Sequence, residues 1–138
     1  MISSTDAIGP LVRIGTIRSA LTSLDDAPRQ GDEGAPDAWL EVDAGFAPAL
    51  AGLRVGEVIV LLTWLDRADR GVLATHPRND TSLPLTGVFA TRSPDRPNPL
   101  GLHRVTILEI DGTRLRVGPL EAIDGTPVLD VKIGWGGT

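Results

Sequence analysis

The chain has 138 residues, with 13 basic and 18 acidic side chains and a formal net charge of −5. One domain fits that length, and a hydrophobic content of 41% supplies a packed core without covalent staples. Cysteine is absent, which excludes disulfides, thiolate catalysis and thiolate metal sites together.

In chain order, Met1–Gly9 lacks a basic start and an apolar stretch, so no secretory signal is read there and a soluble cytoplasmic domain is expected. Ile14–Ser19 alternates apolar and polar residues, as a half-buried strand does. Ala20–Pro36 carries paired aspartates, prolines and glycines and reads as an acidic loop. Trp39–Asp43 alternates again, and Phe46–Leu53 predicts one or two helical turns with Gly52 near the end. Glu57–Leu65 is apolar on both faces and β-branched, so it predicts a central strand. The apolar run inside it, Val58–Leu62, is far too short to span a bilayer. Gly71–Thr75 and Gly87–Thr91 predict two further short strands. Leu102–Ile110 and Thr113–Val117 flank Asp111-Gly112, a hairpin signal, and Asp124-Gly125 turns the chain into a last strand, Thr126–Ile133. With 16 Gly and 11 Pro and no repeat, about seven short strands and one short helix predict a mostly β domain, a barrel or a sandwich.

Charge is unevenly placed. Asp25, Asp26, Asp32, Glu33, Asp37, Glu41 and Asp43 face only Arg29, whereas Arg92, Arg96 and Arg104 surround the single Asp95. The overall acidity argues against general nucleic-acid binding and leaves room for a local phosphate contact. The fingerprints of dinucleotide-binding, nucleotide-triphosphate-binding and serine-hydrolase folds are absent. His76 and His103 lack a second ligand at metal spacing, so no metal site is expected. His103 reads as a strand-surface histidine, with a hydrogen-bonding role beside the following loop as the alternative. Trp39, Trp64 and Trp135 read as core or interface residues.

Two stretches carry chemistry. In Arg92-Ser93-Pro94-Asp95-Arg96-Pro97-Asn98-Pro99-Leu100-Gly101, three prolines stiffen a loop holding guanidiniums, a carboxylate, a hydroxyl and an amide. Rigid polar groups suit a small-ligand site; the alternative is a corner whose Arg and Asn cap neighbouring carbonyls. In Asp124-Gly125-Thr126-Pro127-Val128-Leu129-Asp130-Val131-Lys132-Ile133, an extended chain puts Thr126, Val128, Asp130 and Lys132 on one face. Pro127, Leu129, Val131 and Ile133 then face the core. Asp130 reads either as a carboxylate facing a cationic ligand or accepting a proton, or as half of a solvent-facing ion pair with Lys132.

Together the two stretches resemble the TsaA-like, or TrmO, family. Its hallmarks are a strand running into R-S-P-x-R-P-N-P-[IL]-G-L and, later, D-G-T-P-V-L-D-[IV]-K. This chain has GVFATRSPDRPNPLGLHRV and IDGTPVLDVK, and IGTIRS and HPR at 76–78 also match family positions. The resemblance covers about residues 12–133 of a single domain spanning 1–138, with no additional C-terminal domain expected. It departs after Lys132, where Ile133-Gly134-Trp135 replaces the family's usual continuation. The resemblance implies a small β-barrel that binds S-adenosylmethionine as a homodimer, with no membrane or metal partner. It also implies methylation of N6 of threonylcarbamoyladenosine at tRNA position 37. A small-molecule methyltransferase and a non-catalytic donor-binding module are the alternatives. Carried over by motif, Arg92, Ser93, Pro94, Arg96, Asn98, Gly101, Asp124, Thr126, Pro127 and Lys132 line or shape the donor pocket. Asp130 is the expected proton acceptor.

Overall fold

The computed structural model describes residues 8–23 and 34–134. Much of the acidic loop expected over Ala20–Pro36, and Trp135, lie outside the described residues. Six strands close into a barrel: β1 (Gly15–Arg18), β2 (Ala38–Val42), β3 (Val58–Trp64), β6 (Leu100–Asp111), β7 (Arg114–Gly118) and β8 (Pro127–Ile133). Their order around it is β1-β2-β7-β6-β3-β8, every neighbouring pair is antiparallel, and β8 closes on β1 through Gly15 and Val128. Two short strands, β4 (Ala74–Thr75) and β5 (Thr86–Gly87), pair in an excursion between β3 and β6. Among the described residues no helix is long and apolar enough to cross a membrane.

Period-2 patterning sets which side chains fill the barrel. Ile17, Leu40, Ile59, Leu61, Val105, Ile107, Leu115, Val117 and Val128 form the interior, closed by Leu120 and Ala122 from the β7–β8 connection. The hairpin expected at Asp111-Gly112 forms, with Gly112 at φ 61° between the paired Asp111 and Arg114. The outer wall of β1, β2 and β7 is polar: Arg18 and Arg114 meet Glu41, and Arg116 meets Asp37 and Glu109.

One expectation is met with shifted bounds and two need correction. The helix expected over Phe46–Leu53 is a 3₁₀ helix at Ala44–Leu50; Pro48 inside it has no amide to donate, and the bonds run i to i−3. The strand expected over Gly71–Thr75 is confined to Ala74–Thr75. Gly87–Thr91 contributes only Gly87 to a strand, and Val88–Ala90 turn as a 3₁₀ helix. The carbonyls of Val88 and Thr91 bend toward the Arg96 guanidinium and so are withdrawn from any ladder.

Candidate functional site

The proline loop is folded around Arg96. Its Nε donates to the Ser93 carbonyl at 2.8 Å, and its Nη2 donates to the carbonyls of Thr91, at 2.6 Å, and Val88. The Ser93 amide donates to the Thr91 hydroxyl at 3.1 Å, which closes the loop on itself. Arg96 therefore does what the alternative reading of this stretch expected of an arginine: it caps carbonyls. Arg92 is exposed and has no hydrogen bond or ion pair among the described residues.

A second segment, residues 65–71, clasps this loop. Arg70 donates to the Pro97 carbonyl at 2.6 Å and to Asn98 Oδ1 at 3.1 Å, while its guanidinium lies 5.2 Å from the Trp64 ring centre. The Asp69 amide donates to Asp95 Oδ1 at 2.8 Å, and the Leu65 amide to the Pro99 carbonyl at 2.9 Å. Asn98 is thereby tied through Arg70 to Trp64, the last residue of β3. Pro94 is exposed at the loop's tip.

The residues Asp124 and Thr126 build a turn. Asp124 Oδ1 accepts from the Ser19 amide at 3.0 Å, and the buried Thr126 hydroxyl donates to the Ile123 carbonyl at 2.7 Å. Gly125 sits at φ 85°, and the amide of Ile17 donates to the Thr126 carbonyl at 3.0 Å. This turn pins the start of β8 to the end of β1.

Within β8 the expected face assignment fails in its first half. Val128 pairs with Thr63 but Asp130 pairs with Leu62, so Leu129 is bulged and the alternation reverses. Thr126 and Val128 point into the barrel, Pro127 and Leu129 point out, and beyond the bulge Val131 packs against the core. Ile133, expected to face the core, is half exposed. Asp130 and Lys132 lie on the outside as expected, with Lys132 Nζ 3.3 Å from Asp130 Oδ2 and the side chains 66% and 50% exposed. The other oxygen of Asp130 accepts from the Val131 amide at 2.9 Å.

Pro127 and the bulged Leu129 face outward beside Trp64, and with Leu11 and Arg13 they line a groove of about 600 Å³. That volume lies in the range of small-molecule sites. Arg13 is exposed and without a hydrogen bond or ion pair among the described residues. A smaller cavity of about 160 Å³ lies farther along β8, where Asp130 meets Ile14, Phe46 and Leu53. Among the described residues no cluster of three metal-ligating side chains occurs.

Directly beneath the groove the barrel interior turns polar. His103 is 5% exposed, not on the strand surface as expected; Val105 and Ile107, two and four residues on, set the inward phase that includes it. Its Nε2 lies 2.7 Å from the fully buried Thr63 hydroxyl and its Nδ1 lies 2.5 Å from Glu121 Oε1. Gly101 pairs with Thr63, and a Cβ there would lie 2.2 Å from the Thr63 hydroxyl oxygen and 2.6 Å from His103 Nε2. Sequence reasoning passed over Thr63, Glu121, Arg70 and Arg13. For Thr63, an inward position within an otherwise aliphatic row was the available signal.

Of the motif residues, Pro127 lines the groove, Asn98 reaches it through Arg70, and Gly101 lies on the strand paired beside it. Arg96, Asp124 and Thr126 hold the scaffold, while Asp130 and Lys132 belong to the second cavity's side of β8.

The profile of the family described as the tRNA-methyltransferase O N-terminal domain matches residues 16–133. An S-adenosyl-L-methionine-binding protein of Archaeoglobus fulgidus is 40% identical over 119 residues, which cover 86% of this chain and 84% of the relative. A probable S-adenosyl-L-methionine-binding protein of the same organism is 42% identical over 122 residues, covering 88% of this chain and 33% of the relative. The crystal structure of TrmO from Pseudomonas aeruginosa superposes with a TM-score of 0.74 at 31% identity, covering 93% of this chain and 56% of that one. The chain thus spans a third of one relative, most of another and just over half of the solved protein.

Proposed function

Because the chain belongs to the family of the tRNA-methyltransferase O N-terminal domain, we propose that it binds S-adenosylmethionine and transfers its methyl group to N6 of threonylcarbamoyladenosine at tRNA position 37. The observation that carries this reading is the convergence of both motif stretches on Trp64, beside a groove of about 600 Å³. The groove's chemistry fits the donor. Trp64, Leu11, Pro127 and Leu129 offer apolar and aromatic surface to an adenosyl group, and the unpaired guanidinium of Arg13 suits a methionyl carboxylate. A second such contact is assigned to the unpaired Arg92 of the proline loop, which does not itself line the groove.

When bound, the donor supplies an electrophilic methyl on a sulfonium that becomes a neutral thioether on transfer. The chain's own task is alignment and exclusion of water. The Arg96-centred loop, tied to Trp64 through Arg70, and the Asp124–Thr126 turn, which leads into Pro127, hold the groove's walls from behind, so little ordering remains to oppose binding and in-line attack. The acceptor nitrogen loses a proton around the transfer. Solvent is the acceptor the groove offers; Asp130, which lines the neighbouring cavity, receives the proton only if the acceptor nucleoside extends along β8.

A homodimer in the cytoplasm completes the proposal. Its support is the outer wall of β3 and β6, where Leu100 and Leu102 are exposed beside Trp64 and Leu62. Phe89, 87% exposed, and Leu73 and Leu85 extend apolar surface along the excursion. Such a surface is characteristic of an interface.

The formal net charge of −5 favours a second reading, a donor-binding protein whose methyl acceptor is a small molecule. Calorimetric titration with S-adenosylmethionine, followed by labelled-methyl transfer to tRNA bearing the threonylcarbamoyl group, tests both. Label in the tRNA supports the first reading; saturable binding without label supports the second or a binding module. Folded protein that binds no donor overturns the donor site itself.

A further inference from the structure

His103 occupies a position where the barrel has no packing need for a polar ring. Its inward neighbours along β6 are Val105 and Ile107, and its partner across the ladder is Leu61. An imidazole buried among aliphatics is costly unless both nitrogens are satisfied, and here both are. A fully satisfied buried network fixes geometry more tightly than an apolar contact does.

What the ring joins is the more telling fact. β3 lies between β6 and β8, so the sheet offers no ladder bond between the proline loop and the Asp124–Pro127 stretch. His103 crosses that gap through the barrel interior. On one side Nε2 meets the Thr63 hydroxyl, in the space that a side chain at Gly101 would need, where the proline loop ends. On the other, Nδ1 meets Glu121, three residues before Asp124 in the connection that delivers the second motif stretch. With a neutral ring, the Nδ1 proton is donated to the Glu121 carboxylate and Nε2 accepts from Thr63.

We propose that His103 is a positioning residue: through Glu121 and Thr63 it sets the distance between the two motif stretches that flank the donor groove. The proposal rests on the donor-site reading above. Disturbing the ring displaces the walls of the groove without removing any group that touches the donor.

The test uses the two amides that each keep one of the ring's bonds. His103→Asn places its amide near the Nδ1 position and keeps the Glu121 contact, whereas His103→Gln reaches toward Thr63 and gives up Glu121. Both lose stability by similar amounts, so stability alone does not separate them. S-adenosylmethionine titration of the folded variants is expected to leave His103→Asn within about threefold of the parent chain and to weaken His103→Gln at least tenfold. Glu121→Ala is expected to match His103→Gln, and the double variant Glu121→Ala/His103→Gln to be no weaker than either alone, the non-additivity of one shared unit. Parental affinity in His103→Gln and Glu121→Ala overturns the proposal and leaves a core residue only, as does equal weakening in His103→Asn and His103→Gln. Should the parent chain bind no donor, the donor reading fails and the coupling is read from amide resonances instead. His103→Gln then shifts both Gly101 and Asp124–Thr126, whereas shifts confined to the ring's own contacts in every variant overturn it.

Discussion

Replacing Gly101 with alanine tests the cramped geometry beneath the groove with a single methyl group. The added Cβ would stand 2.2 Å from the Thr63 hydroxyl oxygen and 2.6 Å from His103 Nε2. Neither atom is the tip of a flexible side chain. Thr63 is fully buried on β3, and the ring is held at both nitrogens. The methyl must push the hydroxyl and the ring apart. Overpacking of a tight interior costs about 1–3 kcal/mol, and leaving a buried hydroxyl without its partner costs about 1–3 kcal/mol more. A total of about 2–6 kcal/mol is a large share of the 5–15 kcal/mol typical of a domain. At about 3–5 °C per kcal/mol for a chain of this size, the midpoint of thermal unfolding falls by about 6–30 °C. Gly45→Ala is the control, because no atom lies within 4 Å of its Cβ position, and it changes stability by less than about 1 kcal/mol in the stabilising direction. Adding Thr63→Ala to Gly101→Ala removes the closer clash and is expected to recover part of the loss. Urea and thermal unfolding of the four proteins measure all of this. A Gly101→Ala midpoint within error of the parent refutes the reasoning.

The two arginines of the proline loop are expected to separate. Arg96→Ala removes the donor to three main-chain carbonyls and destabilises the fold by more than about 1.5 kcal/mol in urea unfolding, whereas Arg92→Ala leaves stability within about 0.5 kcal/mol and weakens donor binding in calorimetry. Asp130→Asn breaks an exposed pair with Lys132 and changes stability by less than about 1 kcal/mol. If the carboxylate accepts the N6 proton, single-turnover transfer slows by about 10²–10⁴-fold at unchanged donor affinity. Asp80 titrates below the ordinary carboxylate value because the Ser82 hydroxyl and amide both donate to it, with His76 adding to the effect against a little burial. It therefore contributes stability above its unfolded value that is lost as pH falls through the folded one, and Ser82→Ala moves the titration back up in an NMR pH series.

Strand existence was legible wherever one face was buried. Trp39–Asp43 alternates and Leu102–Ile110 is marked by the Asp111-Gly112 turn that ends it, and the ladders at Ala38–Val42 and Leu100–Asp111 follow. What misled was a change of phase that no residue type announces. The bulge at Leu129 exchanges the two faces of β8 midway, so one alternating pattern could not describe Pro127 and Val131 together. Gly87–Thr91 has strand composition, yet its carbonyls answer to a guanidinium several residues downstream, a long-range cause invisible to local propensity. His103 was misplaced for a different reason. Leu102 on the opposite phase made the outer face look apolar too, and only the barrel's closure decides which side is inside.

The two ends of the barrel are unequal in their interiors, independently of any motif. The C-terminal end of β3 and the N-terminal ends of β6 and β8 meet at one rim, because these strands run antiparallel. There the interior holds Thr63, His103 and Thr126, with Glu121 only 17% exposed beside them. Away from that rim the same inward rows continue as Ile59, Leu61, Val105 and Ile107. Aliphatic side chains at all these positions would pack a barrel of this size with no polar group to satisfy. A sequence that, among the described residues, departs from the best-packed solution at one rim, and satisfies each polar group there through a defined partner, fixes the geometry at that rim. That rim carries the proline loop, the Asp124–Pro127 stretch and the groove. The polar interior and the ligand-sized exterior are two sides of one β3 terminus, Thr63 facing in and Trp64 facing out.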